Sequence, residues 1–148
     1  MRTVFASIAF VLSLSLGTSA QDSNAQITAA VRDVLVRQQD AWNRHDLEAF
    51  MSGYWNSPDL TFFSGANVTT GWQDTLERYR KRYQSEGHEM GQLRFSVEIT
   101  PLAPDAAFVR GEWKLTMKDD KTPHGLFTLL FRKFSDGWKI VHDHTSAE

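Results

Sequence analysis

The sequence contains no cysteine, which excludes disulfide bonds, thiolate zinc sites and cysteine nucleophiles. Proline and glycine are scarce, with 4 and 9 residues among 148, so the chain falls outside the low-complexity and disordered classes. It also lacks an excess of positive charge. The formal net charge of −2 argues against a nucleic-acid-binding protein, which normally presents a basic surface. No glycine-rich phosphate loop and no serine nucleophile elbow are present in the sequence.

The first twenty residues have the pattern of a secretory signal peptide. Arg2 supplies a positive charge, residues 4–16 form an apolar run, and small residues at 18–20 are typical of a signal peptidase site. A transmembrane anchor is the alternative, but the run is shorter than the roughly 20 residues that cross a bilayer. We therefore predict a signal peptide over residues 1–20, a periplasmic or secreted protein that leaves the membrane after cleavage, and one domain over residues 21–148.

Helical periodicity dominates the first half of the remaining chain. Apolar residues from Ile27 to Trp42 recur at spacings that place them on one face of an amphipathic helix. Asp46 has the position of an N-terminal cap for a short second helix. A third helix is predicted to begin at Thr70, with Gln73 in the capping-box position.

Alternation with a period of two replaces the helical period after Glu89. The last two strands are predicted to form a hairpin that turns at Asp136-Gly137, a strong two-residue turn signal. Helices followed by long antiparallel strands predict an α+β fold, in which the N-terminal helices pack on one face of a curved sheet. The predicted strands cover residues 60–63, 68–69, 93–99, 107–117, 124–134 and 138–145.

This order of elements resembles the nuclear transport factor 2-like superfamily. The resemblance is carried by Gln39–Asn43, Asp46–Phe50, Pro58–Phe62, Thr70–Trp72 and Asp136–Ser146. The last segment is similar to the ends of the calcium/calmodulin-dependent kinase association domain and of SnoaL-like domains. The resemblance implies a cone-shaped roll, in which a strongly curved, mostly antiparallel sheet encloses a pocket. It leaves the activity open, because the fold serves isomerases, cyclases, dehydratases and non-catalytic assembly modules.

Aromatic side chains are the main indication of a ligand-binding pocket, because tyrosine and tryptophan combine an apolar body with a polar tip. Ordinary core packing is the alternative for each of them. The last strand adds two histidines to this predicted site. The predicted ligand-binding residues are Trp42, Tyr54, Phe62, Tyr79, Tyr83, Trp113, His142 and His144.

His142 and His144 share one face of the last strand, because side chains two residues apart point the same way. Paired imidazoles can chelate a metal, but a third ligand is not evident, and we predict neither a metal nor a cofactor. His142 is a candidate general base, with hydrogen bonding at the pocket mouth or a subunit interface as the alternative. We expect His142 to point inward with Trp113 and Ile140, an orientation that a β-bulge would invert.

Two carboxylates are further candidates for proton transfer. Asp59 precedes the first strand, where burial against Phe62, Trp42 and Trp113 would raise its pKa. The alternative is a turn residue that caps nearby amides. Asp143 is a candidate by resemblance, because some SnoaL-like cyclases use an acid on a late strand. A regular strand would point Asp143 away from the face that carries His142.

The sequence therefore leaves three functions open. The first is an exported pocket protein that binds a small hydrophobic or carboxylate ligand. The second is an isomerase, cyclase or dehydratase in which a pocket histidine or aspartate transfers a proton. The third is a homo-oligomeric assembly module. A homodimer is predicted from an exposed sheet surface that contains Phe108, Leu130 and Phe134.

Overall fold

A computed structural model of the chain describes residues 18–147. The predicted signal peptide lies outside the described residues, apart from residues 18–20 at the start of the first helix, and it stays a prediction. The elements, in chain order, are α1 (Thr18–Asn43), α2 (Leu47–Met51), β1 (Thr61–Ser64), β2 (Asn67–Thr70), α3 (Trp72–Tyr83), β3 (Gln92–Ala103), β4 (Ala106–Thr116), β5 (His124–Phe134) and β6 (Gly137–Thr145).

The strands form a six-stranded sheet in the order β2-β1-β6-β5-β4-β3. Neighbouring strands are antiparallel except β1 and β6, which run parallel. The helices cover one face of this curved sheet, so the predicted α+β fold is confirmed. Among residues 18–147, none of the helices has the length and apolar character needed to span a membrane.

Helix α1 fixes the edge strand β3 through polar side chains as well as through its apolar face. The Asn43 amide nitrogen donates to the Leu93 carbonyl at 3.1 Å, and the Asn43 side-chain oxygen accepts from the Leu93 N–H at 2.7 Å. Gln39 Oε1 accepts from the Phe95 N–H at 2.9 Å. Because an edge strand leaves backbone groups without a partner strand, these contacts both satisfy and protect it.

The two predicted helix starts have different outcomes. Asp46 caps α2 as predicted, accepting a hydrogen bond from the Ala49 N–H at 2.9 Å. The predicted start at Thr70 is wrong, because Thr70 pairs with Thr61 in the sheet and Gly71 is the residue that precedes α3. Gly71 has a φ of 93°, which favours glycine, and α3 has no side-chain cap. Strand pairing therefore outweighs the local capping pattern.

The last hairpin turns one residue earlier than predicted, through Ser135-Asp136, with Gly137 opposite Phe134 at the start of β6. On the outer surface Phe134 stacks against Trp55 with ring centroids 5.4 Å apart. Phe108 and Leu130 are half-buried on that surface. The homodimer stays a prediction.

Candidate functional site

A cavity of about 260 Å³ lies between the helices and the concave face of the sheet. All six aromatic residues predicted to bind a ligand line it, and their role in binding stays a prediction. Three phenylalanines that the sequence did not single out complete the walls. The aromatic lining consists of Trp42, Phe50, Tyr54, Phe62, Tyr79, Tyr83, Phe95, Trp113 and Phe127.

Edge-to-face contacts hold the helical wall of the cavity together. Trp42 meets Tyr83 and Phe50 with ring centroids 4.8 and 5.3 Å apart. Phe62 of β1 contacts Tyr79 with ring centroids 5.5 Å apart. Each such pair contributes about 0.5–1.5 kcal/mol beyond the burial of its area. The wall is therefore fixed by ring packing before any ligand enters.

A glycine shapes the sheet side of the cavity. Gly111 pairs directly with Phe127 across β4 and β5. A Cβ atom at position 111 would lie 2.3 Å from the Phe127 ring, so a side chain there would displace the ring. Glycine in the middle of this strand thus lets the Phe127 ring lie across the sheet, where it also contacts Phe95 at 5.4 Å.

A β-bulge decides which face of β6 enters the cavity. Leu130 pairs with His142 and Phe131 pairs with Ile140, which leaves Val141 without a partner in β5. The extra residue inverts the alternation beyond Ile140. Asp143, three residues after Ile140, lines the cavity together with it.

Asp143 is a buried carboxyl group with one oxygen bonded and one oxygen free. The Tyr54 hydroxyl donates to Asp143 Oδ2 at 2.7 Å. Within residues 18–147, Oδ1 is the buried side-chain oxygen that has no hydrogen-bond partner. Burial raises the pKa of Asp143 to about 7, and the Tyr54 hydrogen bond opposes that rise. A carboxyl group with a pKa near neutrality can both accept and release a proton.

The tyrosines beside Asp143 remain protonated, and Tyr54 serves as a hydrogen-bond donor. Burial, with the neighbouring Asp143 charge as the next cause, raises the pKa of both Tyr54 and Tyr79 well above its usual value. Tyr79 lies near enough to Tyr54 to contribute to its raised pKa, and the Tyr79 ring stacks on Tyr83 with ring centroids 6.0 Å apart. A line of phenols therefore runs along the cavity wall and ends at the carboxyl group.

His142 and His144 lie on the outer face of the sheet, and the expectation that His142 points into the cavity is wrong. His142 Nδ1 is 2.6 Å from Thr61 Oγ1, and both histidine rings contact Phe63. Burial, and secondarily His144, lowers the pKa of His142. The bulge at Val141 is the cause of this orientation. Neither histidine is among the residues that line the cavity.

Asp59 does not lie at the cavity either. It is an exposed residue in a turn before β1, and its N–H donates to Ser57 Oγ at 3.1 Å. The predicted burial against Phe62, Trp42 and Trp113 is therefore absent, because the turn directs Asp59 to solvent while the next residue, Leu60, is fully buried. Within the described part of the chain, no three histidine or acidic side chains are grouped as metal ligands.

The cavity opens where its lining residues are exposed to solvent. These residues belong to α3, to the β1–β2 hairpin and to the segment after β6. The opening is polar, in contrast to the aromatic interior. Its lining residues include Ser64, Asn67, Arg78, Arg82, Ser146 and Ala147.

The conical α+β roll, with helices packed on a curved sheet, is the fold of the nuclear transport factor 2-like superfamily. The SnoaL-like domain family matches residues 31–148, and the chain belongs to that family. Comparison with the curated proteins gives no match.

Solved structures agree with this assignment. An NTF2-like protein of unknown function from Shewanella oneidensis MR-1 is 41% identical, with a TM-score of 0.75 over 81% of this chain and 98% of that chain. A proposed calcium/calmodulin-dependent protein kinase type II association domain from Thiobacillus denitrificans is 19% identical, with a TM-score of 0.66 over 78% and 92% of the two chains. A proposed scytalone dehydratase from Novosphingobium aromaticivorans is 14% identical, with a TM-score of 0.67 over 86% and 88%. The last two show the fold.

Proposed function

We propose that this protein binds a small ring-bearing carbonyl compound and catalyses proton transfer at the carbon next to the carbonyl group. Asp143 is the proposed general base. The observation that supports this most is a combination of two properties of Asp143 inside an aromatic cavity. Its buried oxygen Oδ1 has no hydrogen-bond partner, and its pKa is about 7. Structural carboxylates normally have all their oxygens hydrogen-bonded when buried.

The proposed reaction needs one carboxyl group. Ionised Asp143 accepts the proton from the carbon, and the electrons of the broken C–H bond move towards the carbonyl oxygen. The same carboxyl group then returns the proton, to the original carbon in exchange or to another carbon in isomerisation. Tyr54 holds Asp143 through Oδ2, which keeps Oδ1 available to the ligand.

A donor for the developing negative charge is present in the same cavity. Tyr83 lines it, and the Tyr83 oxygen accepts a hydrogen bond from Arg82 Nε at 3.4 Å. The proton of Tyr83 is then available for the carbonyl oxygen of the ligand, where a fixed donor stabilises an enolate more than a ketone.

The test is exchange of the α-protons of 2-tetralone in deuterated water, followed by NMR. The wild-type protein is expected to accelerate exchange, with a rate that rises through about pH 7 as Asp143 ionises. Asp143→Asn should reduce the catalysed rate by about 10²–10⁴-fold, the usual contribution of a general base. Tetralone exchange that is equal in both proteins contradicts the proposal.

Binding without catalysis is the second candidate function. The aromatic walls favour it, because their packing does not depend on Asp143. Saturable binding of 2-tetralone by the wild type and by Asp143→Asn, together with uncatalysed exchange, would identify this function.

We also propose that the protein acts in the periplasm or outside the cell, on the basis of residues 1–20. Mass spectrometry of the protein recovered after expression with residues 1–20 present should show a chain that begins at Gln21. A recovered chain that retains Met1 or Arg2 contradicts this proposal.

A further inference from the structure

Two arginines at the opening of the cavity have no acidic partner among the described residues. Arg78 Nη1 donates to Thr69 Oγ1 at 3.3 Å, and Arg82 Nε donates to Tyr83 Oη at 3.4 Å. Both contacts are long and join a cation to a neutral hydroxyl group. Both residues nevertheless line the cavity.

The neighbouring Arg80, on the same helix, is an arginine with acidic partners and serves as a comparison. Arg80 forms ion pairs with Glu48 at 2.5 Å and with Glu77 at 2.6 Å, on a side of α3 that does not line the cavity. Arg80 is thus neutralised by two carboxylates, and Lys81 is a solvent-exposed cation that does not line the cavity. Arg78 and Arg82 differ from both, because they line the cavity and keep their positive charge there.

Ring contacts hold the two unpaired arginines at the opening. Arg78 lies over the Phe62 ring at 5.5 Å, and Arg82 lies over the Tyr83 ring at 5.6 Å. The two arginines are four residues apart on one helix, a spacing at which like charges repel each other. This arrangement weakens the isolated helix and concentrates positive charge at one place.

Asp143 does not serve as the missing counter-ion. A guanidinium group close to a carboxylate lowers its pKa. The pKa of Asp143 is instead raised by burial, and the influence that opposes the rise is the Tyr54 hydrogen bond. The positive charge at the opening is thus available for an anion that comes from outside the chain.

We propose that the ligand of this cavity is a ring-bearing carboxylate whose anionic group is held by Arg78 and Arg82. Its ring occupies the aromatic interior, and Asn67 and Ser146 at the same opening can add hydrogen bonds. The cavity of about 260 Å³ is larger than the ~150 Å³ that holds benzene and smaller than the ~300–1,000 Å³ typical of drug-sized ligands. One or two rings therefore fit. This inference rests on the proposed function in taking the same cavity as the site.

Two probes of the same shape, compared at neutral pH, test whether the cavity prefers an anionic ligand to an uncharged one. Isothermal titration calorimetry should show that naphthalene-2-carboxylate binds at least tenfold more tightly than naphthalene-2-carboxamide, because two charge-assisted hydrogen bonds are available to the carboxylate. The double variant Arg78→Gln/Arg82→Gln should lose this preference. Lys81→Gln is the matched control, because it removes one positive charge from an exposed position of α3 outside the cavity and should retain the preference.

Equal binding of the two probes, absence of binding by either, or an unchanged preference in the double arginine variant overturns the inference. Circular dichroism and thermal unfolding establish that the double variant is folded. Asp143→Asn separates this inference from the proposed catalysis, because it should reduce the catalysed exchange of 2-tetralone by about 10²–10⁴-fold and keep the preference for the carboxylate. A preference for the carboxylate without catalysed exchange supports the ligand class and contradicts the catalytic role.

Discussion

The two faces of β6 place titratable side chains in opposite environments. On the inner face, Asp143 is 5% exposed, is bonded through one oxygen and has a raised pKa. On the outer face, His142 pairs with Thr61 and contacts Phe63, and His144 is exposed. Histidine is the residue type with the more suitable ordinary pKa for acid–base work at neutral pH. The bulge at Val141 nevertheless brings the carboxyl group, and not the imidazole, into the cavity, where burial raises its pKa to about 7.

The largest expected effect on stability comes from replacing Asp143, the titratable residue of the inner face, with a side chain that cannot ionise. Folded Asp143 keeps its proton up to about pH 7, whereas the unfolded carboxyl group ionises near 3.8. The native state therefore binds more protons between these values, so stability falls as the pH rises through this window. The total loss is about 4 kcal/mol. Asp143→Asn should unfold in more urea than the wild type at pH 8, with little difference at pH 4.

Urea unfolding at pH 4, 6 and 8 measures this difference, and Asp59→Asn, a change at an exposed carboxylate outside the cavity, is the matched control. A gap between Asp143→Asn and the wild type that does not grow with pH would show that Asp143 is not buried as described.

A smaller effect is expected when the inner face keeps its carboxyl group but loses its donor. Tyr54→Phe removes the hydrogen bond that lowers the pKa of Asp143, so this pKa should rise further. Because the base is active when ionised, the rise of the tetralone exchange rate should shift to higher pH, with the plateau rate less affected. Tyr83→Phe leaves the Tyr54–Asp143 bond intact, and its exchange midpoint should stay at the wild-type pH. An unchanged midpoint in Tyr54→Phe would mean that Tyr54 does not control Asp143.

The smallest effect is expected on the outer face. His142→Ala removes one hydrogen bond to Thr61 and one ring contact with Phe63, which should cost about 1 kcal/mol of unfolding free energy. Tetralone exchange should stay within twofold of the wild type, because the imidazole does not reach the cavity. A tenfold loss of exchange in a folded His142→Ala protein would show that His142 takes part in the reaction, contrary to this prediction.

Much of the fold follows from patterns within short stretches of the chain. The period-3.6 pattern of residues 27–42 predicts α1, and the alternating residues after Glu89 predict the long strands. The capping pattern at Thr70 failed because Thr70 pairs with the distant Thr61 in the sheet, and α3 begins only after Gly71. Local rules succeed where no distant segment competes for the same backbone groups.

The candidate site was only partly predictable. The aromatic residues of α1 and α3 follow from their helical spacing, and each of the six predicted rings lines the cavity. Asp143 carried one signal, its resemblance to the late-strand acid of some SnoaL-like cyclases. That signal conflicted with the apolar alternation that placed Ile140 and His142 inward. The conflict is removed by Val141, whose bulge has no marker in the sequence.

The sequence by itself determined the alternation of apolar and polar residues, hence the α+β class and an aromatic interior, because these depend on the spacing of neighbours along one chain. Only the tertiary structure decided which side chains of β6 meet the cavity, because one unpaired residue in a ladder inverts every position after it. The same holds for the free charge of Arg78 and Arg82. Whether a charge is neutralised depends on which distant carboxylates the fold brings near it, as Glu48 shows for Arg80.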